Sequence, residues 1–247
     1  RSTIIFDTGK MLKVEEKKLL SVCTAVECIH SYSLIHDDLP CMDNDPTRRG
    51  KPSTHKKFGE ATAVLAGNSL LTLAFEIISN KKNFLSPKQK NEIINLLSYC
   101  SGHTGIAGGQ ELDLKFENKK KGINQIIDMQ KKKTGKLFNF CLNAVGIIAN
   151  KNSKVQTSLR NLGEDIGLLF QLTDDFLDFK GSKKIVGKSI KKDAKKGKST
   201  LINVMGYENA FNYANKLKKN ILLKIKKHGK NTSDLTDTIE FILGRNF

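Results

Sequence analysis

The sequence predicts an all-α protein, and three observations lead to that prediction. Only four prolines occur among the 247 residues, and three of them (Pro40, Pro46 and Pro52) fall in one short stretch. Because proline breaks the interior of a helix, the remaining sequence is free to form long helices. Apolar residues recur at helical spacing along most of the chain, and no alternating pattern typical of strands persists beyond a few residues.

The first half of the chain contains three predicted helices and one loop. A face of apolar and small residues predicts a helix over residues 17–36, which ends before the first proline. Residues 40–57 are polar, charged and proline-bearing, and they predict a structured loop. The Ala- and Leu-rich residues 58–79 predict a buried helix. The next helix is expected to begin at Pro87, with Ser86 as its cap.

The second half of the chain is also helical by its pattern, apart from one loop. Residues 183–199 have few apolar side chains and many lysines, which predicts a mobile surface loop. We find no internal repeat and no linker, so we expect one all-α domain over residues 1–247. Two long helices and two closing amphipathic helices are predicted over residues 123–148, 153–179, 201–228 and 233–244.

The net charge of the chain is strongly positive. Lys and Arg number 42 and Asp and Glu 25, which gives +17 and a pI of about 9.6. Such an excess is typical of proteins that bind nucleic acids or membrane surfaces. However, only five of the basic residues are arginine, the residue that reads nucleic acids by planar bidentate contacts. The composition therefore indicates lysines spread over a solvated surface, and we expect no nucleic-acid partner.

The cysteines and the apolar segments argue against an extracellular or membrane-spanning protein. The five cysteines are odd in number and form no Cys-x-x-Cys pair, which favours a reducing cytosol over a disulfide framework or zinc site. The most apolar run, residues 61–78, contains Asn68, Ser69 and Glu76, so we expect no stable membrane insertion. These observations predict a cytoplasmic location.

Two acidic clusters stand out in this basic chain. In the second cluster, Asp174 and Asp178 are four residues apart and share one helix face, where their charges repel unless a cation neutralises them. Oxygen-only ligands suit Mg²⁺, which also binds phosphate groups. In the first cluster, Asp37 ends a helix and Asp43 follows Pro40, so these two aspartates converge only if the chain bends there. Either cluster alone is equally typical of solvated acids at a helix end.

Basic residues accompany both acidic clusters. Arg48 and Arg49 follow the first cluster, and arginine binds phosphate oxygens bidentately. Lys133 lies between the clusters, and Lys188 and Lys198 flank the loop after the second cluster. Acids on one side and cations on the other indicate a bound diphosphate, held by Mg²⁺ and by basic side chains.

The order of these motifs resembles that of the trans-isoprenyl diphosphate synthases, in particular the bacterial farnesyl diphosphate synthases. The resemblance extends over essentially the whole chain. The segments that carry it are Asp37-Asp38-x-x-x-x-Asp43, Arg48-Arg49-Gly50, Gly108-Gly109-Gln110-x-x-Asp113, Lys133-Thr134-Gly135 and Phe170-Gln171-x-x-Asp174-Asp175-x-x-Asp178.

The resemblance implies a helical bundle around a deep central cavity, a homodimer and about three Mg²⁺ ions. It implies condensation of isopentenyl diphosphate with dimethylallyl or geranyl diphosphate, to give farnesyl diphosphate or, as an alternative, geranylgeranyl diphosphate. The implied metal ligands are Asp37, Asp43, Asp174 and Asp178. The implied ligands of the allylic diphosphate are Arg48, Lys133, Lys188 and Lys198, those of isopentenyl diphosphate are Arg1, His30 and Arg49, and the residues facing the allylic cation are Thr134 and Gln171.

Product length is expected to depend on the residue that blocks the growing tail. Tyr32 precedes Asp37 by five residues, which is about 7.5 Å along a helix. The resemblance implies that an aromatic residue here, beside the small Ser33, favours a C15 product. From the pattern alone, a plain core tyrosine is nearly as good an interpretation.

Three other classes of protein remain as alternatives. A class I terpene cyclase normally has an Asn/Ser/Glu-type second motif, and a non-catalytic partner subunit tends to lose one Asp motif. A nucleic-acid-binding protein would show DNA binding that depends steeply on salt concentration.

The chain also departs from the family, because it begins at Arg1, where relatives have one or two more helices. It ends at Phe247, where relatives often have a basic residue that helps close the site.

Overall fold

The computed structural model describes residues 1–180 and 199–244, and almost all of their regular structure is helical. The helices of the first half are α1 (Ser2–Leu12), α2 (Glu16–Asp37), α3 (Thr54–Phe58), α4 (Glu60–Ser79), α5 (Pro87–Ser101) and α6 (Ile106–Phe116). Those of the second half are α7 (Ile123–Gln130), a π-helical turn (Lys131–Gly135), α8 (Lys136–Ile148), α9 (Ser153–Lys180), α10 (Leu201–Met205), α11 (Tyr207–Lys226) and α12 (Ser233–Gly244). In the described ranges the only strands are β1 (Thr47–Arg48) and β2 (Lys51–Pro52), which form a small antiparallel hairpin. The all-α prediction is confirmed.

Helix α8 forms the centre of the bundle. Every residue from Leu137 to Ile148 is buried, as expected for a helix that is apolar on all its faces. Helix α9 packs along α8, while α1 and α5 cover other sides of it. A second pair, α2 and α4, packs lengthwise beside this centre. Because α2 and α9 each carry one acidic motif, this packing fixes the positions of both motifs.

Glycines in the left-handed backbone region interrupt two of the predicted helices. The predicted helix over residues 58–79 is broken at Gly59 (φ 90°), so that Phe58 ends α3 and α4 begins at Glu60. The predicted helix over residues 201–228 is broken in the same way at Gly206 (φ 79°). Both single-helix predictions were therefore wrong at these points, since a positive φ ends a right-handed helix.

The predicted start of α5 is confirmed in detail. The Ser86 hydroxyl accepts a hydrogen bond from the Gln89 backbone N–H (3.3 Å), and the Ser86 backbone N–H donates to Gln89 Oε1 (3.0 Å). Pro87 occupies the first turn, where its missing N–H is not needed. This reciprocal capping box satisfies two backbone donors at the helix start.

Helix α4 is apolar but mostly exposed, so the prediction of a buried helix here was wrong. It is the one described helix that is long and apolar enough to cross a membrane, with a mean hydropathy of 1.6. A single helix of this kind is weak evidence for a span, because helices of soluble proteins pass the same test. Its exposed side chains include Leu65 (64%) and Leu73 (39%).

We expect Gly163→Ala to destabilise the bundle. A Cβ atom at Gly163 of α9 would lie 2.6 Å from Asn139 Cα and from the Phe138 carbonyl oxygen, both backbone atoms of α8. Backbone atoms in a packed core cannot move aside cheaply, so we expect a loss of about 1–3 kcal/mol in the free energy of unfolding. Urea unfolding measures it, with Gly244→Ala, whose Cβ would meet no atom within 4 Å, as the control. Equal unfolding midpoints for the two variants would contradict this close packing of α8 and α9.

Candidate active site

The first acidic motif is built on a buried ion pair between Asp38 and Arg48. Asp38 is only 2% exposed, and both of its carboxylate oxygens accept hydrogen bonds from Arg48 Nε, at 3.0 and 2.9 Å. Arg48 Nη2 adds a third hydrogen bond to Oδ1. Hydrogen bonding to Asp38 raises the pKa of the Arg48 guanidinium. The pair fastens the β1–β2 hairpin to the end of α2.

The backbone after α2 turns back and brings Asp43 next to Asp37. The Asp43 N–H donates to the Asp37 carbonyl oxygen (2.8 Å), and the Asn44 N–H donates to the Leu39 carbonyl oxygen (3.0 Å). The bend expected around Pro40 is therefore present. Both Asp37 and Asp43 are partly exposed. Asp37 also lies at the C-terminal end of a helix, where a negative charge is unfavourable, which is typical of a residue kept for function.

The second acidic motif also contains one buried aspartate that is bound inside the protein. Asp175 is 5% exposed, and it accepts hydrogen bonds from Gln171 Nε2 (3.1 Å) and Gln130 Nε2 (3.2 Å). Thr134 Oγ1 donates to Gln171 Oε1 (3.1 Å). These four residues form a polar network that joins α7, the π-helical turn and α9. Asp174 and Asp178, four residues apart on α9, are partly exposed, whereas the adjacent Asp175 is buried.

The π-helical turn places Lys133 beside α6. Lys133 Nζ lies 2.6 Å from Asp113 Oδ2. The backbone can approach this closely because position 109 is glycine: a Cβ at Gly109 would lie 2.1 Å from the Lys133 backbone nitrogen. Such π turns inside helices are frequent at functional sites. A small pocket of about 50 Å³ opens here, lined by Asp113, Met129, Gln130, Lys133, Gln171, Asp175, Ser199 and Thr200.

Arg1, His30 and Arg49 interact electrostatically in a third part of the site. Burial lowers the pKa of Arg1, while Glu27 and Asp174 act in the opposite direction. Burial and the positive charges of Arg1 and Arg49 lower the pKa of His30 to about 4, so His30 is neutral at pH 7. Arg1 Nε is buried and has no hydrogen-bond partner among the described residues. The guanidinium carbon lies 5.4 Å from the ring centroid of Phe138.

The acidic donors fit Mg²⁺ in their chemistry. The described part of the chain contains no group of three or more His, Cys, Asp or Glu side chains that could hold one metal ion. Magnesium does not require such a group, because it is usually held by one or two carboxylates together with water and substrate phosphates. Two partly exposed carboxylates in each motif, Asp37 with Asp43 and Asp174 with Asp178, match that requirement.

Tyr32 and Ser33 lie on α2 near the first motif. Tyr32 is 9% exposed and belongs to the apolar core. The Ser33 hydroxyl donates to the His30 carbonyl oxygen (2.9 Å). The predicted residues Lys188 and Lys198, most of the predicted loop 183–199, and the chain end at Arg245-Asn246-Phe247 lie outside the described residues.

Several residues that build the site were not predicted from the sequence. Asp113 and Gln130 were not predicted as site residues, and neither was the helix α6 that carries Asp113. Two adjacent glycines weaken the helix signal of α6. The segment Gly108-Gly109-Gln110-x-x-Asp113, which contributes to the family resemblance, was nevertheless a usable signal for a site. The pairing of Asp113 with Lys133 joins residues 20 positions apart, which periodicity alone cannot predict.

Comparisons with known proteins find a family model and relatives that match most of the chain. The family model described as polyprenyl synthetase matches residues 1–241. The chain is 43% identical over 196 residues to the farnesyl diphosphate synthase of Bacillus subtilis, a match that covers 79% of this chain and 66% of that relative, just under two thirds. It is 38% identical over 251 residues to the farnesyl diphosphate synthase of Escherichia coli, covering 100% of this chain and 84% of the relative.

A solved structure with a similar fold carries ligands. The Helicobacter pylori geranyltransferase complexed with magnesium and isoprenyl diphosphate superposes with a TM-score of 0.84 at 32% sequence identity. The match covers 98% of this chain and 82% of that chain.

We expect His30 to make the stability of the protein depend on pH. Its pKa is about 4 in the folded protein against 6.5 for a free histidine, so between these pH values only the unfolded chain binds the proton. The free energy of unfolding therefore falls as the pH drops from 7 to 5, by about 1 kcal/mol for this partly exposed group. Urea unfolding at both pH values should show a smaller fall for His30→Asn. An equal fall in the wild type and the variant would contradict the low pKa.

Proposed function

The chain belongs to the polyprenyl synthetase family, and we propose that it is a short-chain trans-prenyltransferase that makes farnesyl diphosphate. It would condense isopentenyl diphosphate head-to-tail with dimethylallyl or geranyl diphosphate. One observation carries the proposal: each acidic motif has one buried aspartate bound inside the protein and partly exposed aspartates whose charge acts on an arginine. Asp37 acts on Arg48, and Asp174 acts on Arg1. Each motif thus combines partly exposed carboxylates with a nearby arginine, and two such combinations are suited to binding two diphosphates.

The basic residues would divide between the two substrates. Arg1 and Arg49, with neutral His30 as a hydrogen-bond partner, would bind isopentenyl diphosphate. Arg1 Nε supports this assignment, because it is buried without a hydrogen-bond partner among residues 1–180 and 199–244, which is costly unless a ligand supplies one. The allylic diphosphate would be bound by Arg48, Lys133, Lys188 and Lys198.

The carboxylates would hold the metal. About three Mg²⁺ ions, bound by Asp37, Asp43, Asp174 and Asp178, would neutralise the negative charge that develops on the leaving diphosphate. Arg48 and Lys133 would add positive charge to that stabilisation.

The amide of Gln171 is oriented to stabilise an allylic cation. Gln171 Nε2 donates to Asp175, and Gln171 Oε1 accepts a hydrogen bond from Thr134. The carbonyl oxygen, which is the negative end of the amide dipole, therefore points towards Thr134. When the bond between the allylic carbon and oxygen breaks, this dipole and the Thr134 oxygen would stabilise the positive carbon. The double bond of isopentenyl diphosphate then attacks that carbon, and the released diphosphate takes up the proton that is lost. Exclusion of water protects the cation during this step.

We propose C15 as the main product length, with Tyr32, which is buried on α2 five residues before Asp37, as the side chain that would block the growing tail. The names of the B. subtilis and E. coli relatives support this length over the alternative, geranylgeranyl diphosphate. We also propose a soluble, cytoplasmic enzyme. All five cysteines are free thiols, and three of them are buried in the core, as is typical of a reducing compartment.

We propose a homodimer in which a second copy covers the exposed apolar side chains of α4. Val64, Leu65 and Leu73 are 39%, 64% and 39% exposed on this helix. The interfaces of permanent dimers are rich in apolar side chains of this kind, which a soluble monomer would leave in contact with water. Twofold symmetry would bring the same face of both copies together.

We expect condensation activity that depends on the first acidic motif. The protein is incubated with isopentenyl diphosphate, geranyl diphosphate and Mg²⁺, and the products are sized by chromatography. Asp37→Ala should lower the rate by about 100-fold or more, because charge stabilisation at the leaving group is lost. It should not lower the melting temperature, since Asp37 is unfavourable at the end of α2. Asp128→Ala, which removes an exposed ion pair with Lys132, is the control and should keep the wild-type rate. Near-normal condensation by Asp37→Ala would refute the proposed role of the motif.

We expect Leu65→Glu to weaken the dimer. A charge at the centre of an apolar interface must lose its hydration on association, which is unfavourable. Light scattering coupled to size exclusion measures the molar mass of the wild type, of Leu65→Glu and of Leu223→Glu. The last is a matched control, because Leu223 on α11 is 60% exposed outside α4. A wild-type monomer, or a Leu65→Glu dimer as stable as the control, would contradict this interface.

A further inference from the structure

We propose that Gly67 of α4 and His36 of α2 are positioning residues that hold Tyr32 in place and thereby limit the length of the product. The inference rests on the proposed function, because it concerns the point at which the growing tail stops. It assigns to α4 a part in specificity, although α4 carries none of the residues predicted to contact a substrate.

The first step is the contact between Tyr32 and His36. The two rings meet edge to face, with their centroids 5.6 Å apart and their planes at 87°. They are four residues apart on α2, and side chains on a helix lean towards its N-terminus. His36 therefore leans over Tyr32 from the side of the acidic motif. Edge-to-face contacts of this geometry favour one orientation of the ring pair.

The second step is the contact between His36 and α4. His36 Nε2 lies 3.1 Å from the Val64 carbonyl oxygen, which accepts its N–H. This bond joins the end of α2 to α4 beside the acidic motif. The orientation of the His36 ring is thus set by the backbone of a different helix.

The third step is the space that Gly67 provides. A Cβ atom at Gly67 would lie 2.1 Å from His36 Nε2, 2.4 Å from Cδ2 and 2.9 Å from Cε1. Any other residue at position 67 would displace the ring. Glycine is unfavourable within a helix, so its presence in the middle of α4 indicates a packing requirement. That requirement is the space occupied by the His36 ring.

These contacts form a chain from Gly67 through His36 to Tyr32. Gly67→Ala would push the His36 ring off the Val64 oxygen and away from its edge contact with Tyr32. Tyr32 would then lose the neighbour that fixes its ring, and the end wall of the tail site would become looser. Longer products are the expected consequence.

The test is the product distribution of purified variants of the whole chain with isopentenyl and geranyl diphosphates and Mg²⁺. We expect Gly67→Ala to raise the fraction of products longer than C15 by roughly threefold to tenfold, the factor that corresponds to loss of an aromatic edge contact. His36→Ala removes the same contact while keeping Gly67, and it should act in the same direction. It decides the question if Gly67→Ala fails to fold.

Gly9→Ala is the matched control for a general packing defect. A Cβ at Gly9 would lie 2.3 Å from Leu19 Cδ1, so the substitution disturbs α1 against α2 but lies outside the Tyr32–His36 contact. It should lower stability and leave the product length unchanged. A shift in product length equal to that of Gly67→Ala would show a general packing effect and overturn the inference.

The double variant Tyr32→Ala/Gly67→Ala tests whether Gly67 acts through Tyr32. Its products should match those of Tyr32→Ala alone. The inference is overturned if Gly67→Ala adds its full shift in that background, or if Gly67→Ala and His36→Ala both give the wild-type distribution. If the wild type makes no condensation product, the proposed function itself fails. An active wild type with unchanged variants refutes only the role of Gly67 and His36.

Discussion

The site depends on a division of roles among aspartates that are adjacent in sequence. Asp38 and Asp175 are buried, and an unpaired buried carboxylate would cost several kcal/mol. Asp38 is compensated by the fork of Arg48, and Asp175 by the amides of Gln130 and Gln171. Each buried acid therefore fixes the position of its own stretch of backbone. The partly exposed aspartates of the same motif are held in place by that backbone. The positions of the proposed metal ligands follow from these two internal anchors.

The second constraint is the close approach of backbones around the π-helical turn. Gly109 of α6 permits contact with the Lys133 backbone, and Gly167 of α9 permits contact with Gly135, whose Cα would lie 2.5 Å from an added Cβ. Helices α6 and α9 therefore pack closely against the π-helical turn, because a glycine on each helix leaves room for the backbone of the turn. Lys133 and Thr134 are presented as consecutive residues, one paired with Asp113 and the other bonded to Gln171. The polar network around Asp175 is held together by this packing.

Periodicity and proline placement predicted much of the fold, whereas contacts between distant residues escaped them. The helix over residues 17–36 and the capped start at Ser86 were readable, because a helix face and a cap are local signals. The breaks at Gly59 and Gly206 and the helix α6 were missed, because the backbone at a glycine is decided by its surroundings. The paired motifs identified the family, but the sequence did not distinguish the buried aspartate of each pair. That distinction depends on which face of α2 or α9 packs inside, so Asp38 and Asp175 acquire their roles only in the folded chain.

The central claim is that the partly exposed aspartates and the arginines bind diphosphate together, with Mg²⁺ between the acids and the ligand. Calorimetric titration of the wild-type protein with inorganic diphosphate, in the presence of Mg²⁺ and after its removal by chelation, tests this claim most directly. The account predicts binding that requires Mg²⁺, because carboxylates without the metal would repel the anion. Equally tight binding without Mg²⁺ would contradict it, since the basic residues would then suffice and the acidic motifs would have no part in holding the ligand.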